Sequence, residues 1–166
     1  MGLPLIVHGW VAAHERMRAM RLELGLASIP PSSAAIGTTE YMRFAGGYGV
    51  TVECGQHQAE KGPQTGYEAV LCGLVHLGMI RAPANHSAQR NIRALEIIEP
   101  ILALHENDSL LRVFYAGEPV VSGKVIGRRH DGTDIVVPYH GAIIFASRTA
   151  AAGTELCFLC RSSVRF

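Results

Sequence analysis

Beyond about residue 91 the chain is a succession of short runs rich in Val, Ile and Phe, at 95–98, 101–104, 113–115, 120–126, 135–137, 141–145 and 155–160. β-Branched and aromatic residues in short runs favour extended backbone. Asn107-Asp108, Gly117-Glu118-Pro119, Asp131-Gly132 and Ala152-Gly153 separate the runs as turns. The pattern predicts a small all-β module. Ala116-Gly117-Glu118-Pro119-Val120 and Ala152-Gly153-Thr154-Glu155-Leu156 share one form, Ala-Gly and an acceptor leading into a strand. This internal echo is consistent with a compact barrel or sandwich.

The first half reads differently. Residues 3–8 form a strand whose abrupt opening reads as a chain that begins partway through a domain. Residues 11–24 are rich in Ala, Met, Leu, Arg and Glu at helical spacing, with Gly25 as the stop. Ile29-Pro30-Pro31-Ser32-Ser33 is a loop, because the residue before a proline is pushed out of the helical region. A short helix follows, capped by Thr38 or Thr39, with Tyr41, Phe44 and Ala45 on its apolar side. Arg43 lies about 200° round from Tyr41, at 100° per residue, and points away from that side. Gly62-Pro63 breaks the chain, and a stronger helix begins at Gln64 or Thr65 and spaces Val70, Leu71, Leu74, Val75, Leu77 and Met79 for burial against a sheet. Residues 81–87 end it and read as a linker, which limited contacts across the join should leave open to proteolysis.

Between the two helices, Val50, Thr51 and Val52 make a β-branched run punctuated by Gly46-Gly47 and Gly55, predicting a short buried strand. Glu53 closes it. A carboxylate there needs a cation, a metal or a substrate proton to offset its desolvation, unless it turns into solvent or pairs with an arginine. Arg43, ten residues earlier, has the same bland alternative, a surface pair with Glu40 or another acid.

The stretch Gly49-Val50-Thr51-Val52-Glu53-Cys54-Gly55-Gln56-His57, preceded by Gly37-Thr38-Thr39-Glu40-Tyr41-Met42-Arg43 and followed by Gly62-Pro63-Gln64, resembles the succinylglutamate desuccinylase/aspartoacylase family, the zinc-carboxypeptidase-like deacylases. The resemblance implies an α/β protein. Residues 1–88 would be the C-terminal part of a carboxypeptidase-like sheet-and-helix layer, and residues 89–166 a lipoyl-like β domain. It implies amide hydrolysis of an N-acyl amino acid, with Glu53 as general base and Arg43 holding the substrate's carboxylate. Zinc is the cofactor of the complete family enzyme. The family's zinc-binding His-x-x-Glu and its later His lie upstream of the matched stretch, and no His-x-x-Glu precedes Glu53 here, so an upstream fragment or a second copy enters as an expected partner.

Composition narrows the remaining classes. A formal charge of +1, from 15 basic and 14 acidic residues, gives no footprint for nucleic acid or an anionic membrane. No apolar run approaches the ~20 residues needed to span a bilayer, and a cytoplasmic location is expected. Four cysteines, at 54, 72, 157 and 160, read as reduced. Cys157 and Cys160, three apart in a strand, should face opposite sides and cannot chelate one metal. His8, His14 and His76 read as structural or solvated, since no His-Glu-x-x-His occurs. A non-catalytic binding or scaffold module is the second reading, with Lys124 the one lysine available to carry a lipoyl or biotinyl group. Its Ser-Gly-Lys-Val context reads as strand rather than an exposed turn.

Overall fold

A computed structural model of the chain describes residues 5–27, 29, 37–47, 49–55, 60–81 and 92–164. The prolines at 30 and 31, His57 and the expected linker beyond residue 81 lie outside the described residues. The architecture mixes α and β. In chain order the elements are β1 (Leu5–His8), α1 (Trp10–Glu23), α2 (Thr38–Phe44), α3 (Gly62–His76), β2 (Arg93–Leu102), β3 (Ser109–Leu110), β4 (Glu118–Val120), β5 (Val125–Arg128), β6 (Asp134–Val136), β7 (Gly141–Ile144) and β8 (Glu155–Ser162).

The long strands β2 and β8 pair antiparallel and seed a five-stranded sheet in the order β1-β2-β8-β7-β4, while β3-β5-β6 form a second, three-stranded sheet. Ile101, Leu110, Phe114, Ile126, Ile135, Ile143, Cys157 and Leu159 fill the core of the β unit. The opposite face of the larger sheet presents Leu95, Ile97, Ala142, Ile144, Phe158 and Cys160 to Ala13 of α1, with Trp10 packed alongside. One strand serves both cores because β2 has a bulge between Ile97 and Glu99. Ile97 and Ile101 would otherwise share a face, and the extra residue turns them to opposite ones. Arg16 donates from Nη2 to the Ile97 carbonyl at 3.1 Å, satisfying an acceptor at the bulge. The parallel partner β1 reaches only to Glu96 in register, so Pro100 falls where β2 has no neighbour on that side, and its missing N–H costs no ladder bond.

The echo between the two Ala-Gly turns is present in three dimensions. Gly117 and Gly153 both have φ of 80°, a left-handed value that favours glycine. Each donates its N–H across the fold, Gly117 to Ile143 and Gly153 to Ala103, and the residue after each closes a turn onto Tyr115 or Ala151. Each carbonyl receives an arginine from outside the turn, Arg93 at Gly117 and Arg21 at Gly153.

Several expectations are corrected. The runs at 95–98 and 101–104 are one strand, and the run at 120–126 is broken by a turn at 121–124, where Lys124 N–H donates to Val121. Residues 113–115 are not a strand: Tyr115 N–H donates to the Glu118 carboxylate rather than to a ladder. Residues 50–54 are irregular, and Val50 is 83% exposed, so the predicted buried strand is absent; among the described residues no strand pairs with them. Gly37, not a threonine, caps α2, and Pro63 sits inside the first turn of α3 instead of breaking the chain before it. No residue of α3 is buried, although its spacing calls for burial against a sheet. The first layer was also expected to share few hydrogen bonds with the β module. Instead β1 joins β2 as a parallel strand, and Arg16 and Arg21 of α1 bond to carbonyls of the β unit.

Trp10, the single tryptophan, meets Phe145 and Phe158 edge-on with centroids 5.4 and 5.5 Å apart. Trp10→Ala should cost about 2–3 kcal/mol in denaturant unfolding. In the parent chain, tryptophan fluorescence and the sheet's circular dichroism should change in one coincident transition. Loss of the fluorescence signal at lower denaturant would show that α1 is not integral to the β unit.

Candidate active site

The segment that carries Glu53 touches a helix at each end, through backbone at Gly49 and through the Cys54 side chain. At Gly49 a Cβ would come within 2.9 Å of Thr39 Cα, so the loop lies directly on the start of α2 and tolerates only glycine there without a shift. Arg43 reaches from α2 to the same point, Nη2 donating to the Gly49 carbonyl at 3.1 Å. At the far end Cys54 Sγ lies against Gly66 of α3, where an added Cβ would meet it at 3.4 Å. Glu53 therefore stands on the short span between two helices, one residue from the second contact.

Both expected site residues are exposed. The burial argument for Glu53 does not hold, because the strand that would have desolvated it is not formed. Arg43 is engaged by the loop through its bond to the Gly49 carbonyl. The apolar side expected to turn Arg43 outward is itself exposed, with Tyr41 at 70% and Phe44 at 58%.

Among the described residues no group of three or more His, Cys, Asp or Glu side chains could hold a metal ion. Cys157 and Cys160 are buried in different cores on opposite faces of the sheet, so they cannot share one ion, and burial pushes both thiols up to about 12. The described residues do not fit the metal that the resemblance implies. Lys124 follows a tight turn, contrary to the strand expected, but its Nζ lies 5.8 Å from the Phe114 ring centroid, a packed position for a carrier lysine.

A buried acid that sequence reasoning treated only as a turn residue is Asp108. Its carboxylate has no exposure and stitches two loops of the β unit. Oδ2 accepts from Leu104 N–H at 2.7 Å, His105 N–H at 3.3 Å and Arg129 Nη1 at 2.8 Å, while Oδ1 accepts from His130 N–H at 2.9 Å. His105 and His130 stack above it with centroids 4.1 Å apart. The signal for this site was an acid at a turn, which in sequence is indistinguishable from an ordinary solvated one.

No family model matches the chain, and no curated protein does. Solved structures do resemble it. A succinylglutamate desuccinylase from Vibrio parahaemolyticus is 17% identical over 70% of this chain and 33% of that one, with a TM-score of 0.45. A succinylglutamate desuccinylase/aspartoacylase from Rhodobacter sphaeroides is 20% identical over 63% and 37%, with a TM-score of 0.47. The chain thus spans little more than a third of the length of the solved structures it resembles. Among the described residues no helix is long and apolar enough to cross a membrane.

Burial alone would raise the Asp108 carboxyl, but Arg129 and the N–H groups of His130, Leu104 and His105 outweigh it and lower it from 3.8 to about 2. A carboxyl lowered on folding stabilises the fold fully above its unfolded value, and that contribution is lost as pH falls from about 4 towards 2. The chain should therefore lose about 2 kcal/mol through this group over that window. Asp108→Asn, less stable at neutral pH, should lack this component in acid titrations of unfolding free energy; an unchanged acid slope would remove Asp108 from the account.

Proposed function

We propose that this chain supplies the proton acceptor and the anion anchor of an amide-hydrolysing site acting on N-acyl amino acids. The observation that carries the reading is the placement of Glu53. It stands exposed on a span fixed at Gly49 and Cys54, with Arg43 of α2 bonded to the same loop. In this reading Glu53 takes the proton from the attacking water and hands it to the departing amine. Arg43 receives the amino acid's carboxylate through a bidentate guanidinium contact. Residues 5–81 then belong to a carboxypeptidase-like layer and the β unit to a lipoyl-like closing domain.

The metal of such an enzyme is assigned to polypeptide outside the described residues, since no donor set here fits it. Exposed Tyr41, Phe44, Val70, Leu77 and Met79 on and after α2 and α3 support a further layer of polypeptide over this region, from an upstream fragment or a second copy. The scaffold reading is less well supported, because Lys124 packs on Phe114.

Residues 1–166 alone should show no zinc-dependent hydrolysis of N-acetyl or N-succinyl amino acids. Joined to an upstream segment bearing His-x-x-Glu, the protein should become active. In that form Glu53→Gln should keep zinc content and fold but lower turnover by about 10²–10⁴. Near-normal turnover of the glutamine variant would remove Glu53 from the mechanism.

A further inference from the structure

We propose that His8 and Ser163 form a serine–histidine dyad, competent for acyl transfer from small esters and separate from the Glu53 region. His8 Nε2 lies 2.8 Å from Ser163 Oγ, although the two residues are 155 positions apart in sequence. That is the distance at which an imidazole accepts a hydroxyl proton, the arrangement that activates a serine nucleophile.

Backbone pairing fixes both partners. His8 ends β1, which is held to β2 in parallel register with His8 beside Glu96. Ser163 follows β8, and its N–H donates to the Ala94 carbonyl at 2.9 Å, so the serine is tied to the other edge of the same strand β2. Glu96 pairs with Arg161 across β2 and β8. With side chains alternating along a strand, His8, Glu96, Arg161 and Ser163 share one sheet face. Ala94, paired in register with Ile6 and bonded through its carbonyl to Ser163 N–H, is only 8% exposed, and its small side chain leaves His8 room to reach Ser163 over the middle strand. A larger residue there would hold them apart.

Two neighbours extend the dyad. Glu96 stands beside His8 in register, and its Cγ lies 3.4 Å from where a Gly9 Cβ would stand, so the acid is the residue of β2 placed to orient the imidazole. Arg161, two residues before Ser163, is exposed and has its guanidinium 4.5 Å from the Tyr139 ring centroid. Both His8 and Ser163 remain partly accessible, so an ester can reach the hydroxyl.

The step balances without a co-reactant other than water. Ser163 Oγ forms a bond to the ester carbonyl carbon as its proton passes to His8 Nε2. The carbonyl–leaving-group bond then breaks, and the leaving oxygen departs with that proton. Water, deprotonated by the same imidazole, attacks the acyl-serine, and the returning proton restores the Ser163 hydroxyl.

The test uses the full chain and p-nitrophenyl acetate, with peptide mass mapping of the acetylated residue and the initial rate of its formation. Acetyl-Ser163 is expected in the parent chain and absent from Ser163→Ala. In His8→Asn the rate at Ser163 should fall by about 10²-fold and recover with added imidazole, while His105→Asn leaves it unchanged. Should His8→Asn fail to fold, His8→Gln, which keeps a hydrogen-bonding side chain, replaces it with the same expected loss. Absence of acetyl-Ser163 from the parent chain, or acetylation at an undiminished rate without the His8 imidazole, would overturn the proposal.

Discussion

The pairing of β2 with β8 is the interaction on which the rest of this molecule depends. It is the longest ladder present, and every other strand of the larger sheet is placed by it: β1 on the free side of β2, then β7 and β4 beyond β8. Gly141 shows how closely this is fitted. A Cβ there would stand 2.1 Å from the Cys160 carbonyl, so β7 lies against β8 at a distance only glycine permits. The bulge after Ile97 then divides one ladder between two apolar cores. Arginines finish the assembly by bonding carbonyls at turns, at the bulge and at the end of β2: Arg16 at Ile97, Arg21 at Gly153, Arg93 at Gly117 and Arg129 at Leu102.

The segment that carries Glu53 and Arg43 has no comparable foundation. Its order comes from local contacts, a loop laid on Thr39 and a thiol resting on Gly66, and its helices expose apolar side chains that a sheet would ordinarily cover. Positioning of a reacting group to within a fraction of an ångström requires packing around it. The proposed base and anchor are therefore components whose geometry depends on a covering layer. The His8–Ser163 pair is the reverse case, since strand pairing already holds both residues.

Legibility followed the range of the interaction. The β module could be read because alternation and turn residues are local, and Cys157 and Cys160 fall in different cores as a strand period requires. Gly25 ends α1 as expected, with φ of 67° and a bond from Leu26 N–H back to Arg21. The β-branched residues 50–52 misled because propensity for extended backbone becomes a strand only where a neighbour completes the ladder. The bulge in β2, the burial of Asp108 and the meeting of His8 with Ser163 were not readable, since each is set by residues far apart in sequence. Pro63 was read as a break when it is equally at home in a helix's first turn.

Native-state hydrogen exchange tests the central claim most directly, that β1 and α1 belong to one body with the β2–β8 ladder while α3 depends on covering that the described residues do not give it. Amides of β2 and β8 should exchange only through global unfolding, those of β1 with them, and those of α3 by local opening at far lower free energy. Protection of α3 equal to that of β2, or exchange of β1 well ahead of β2, would contradict the account.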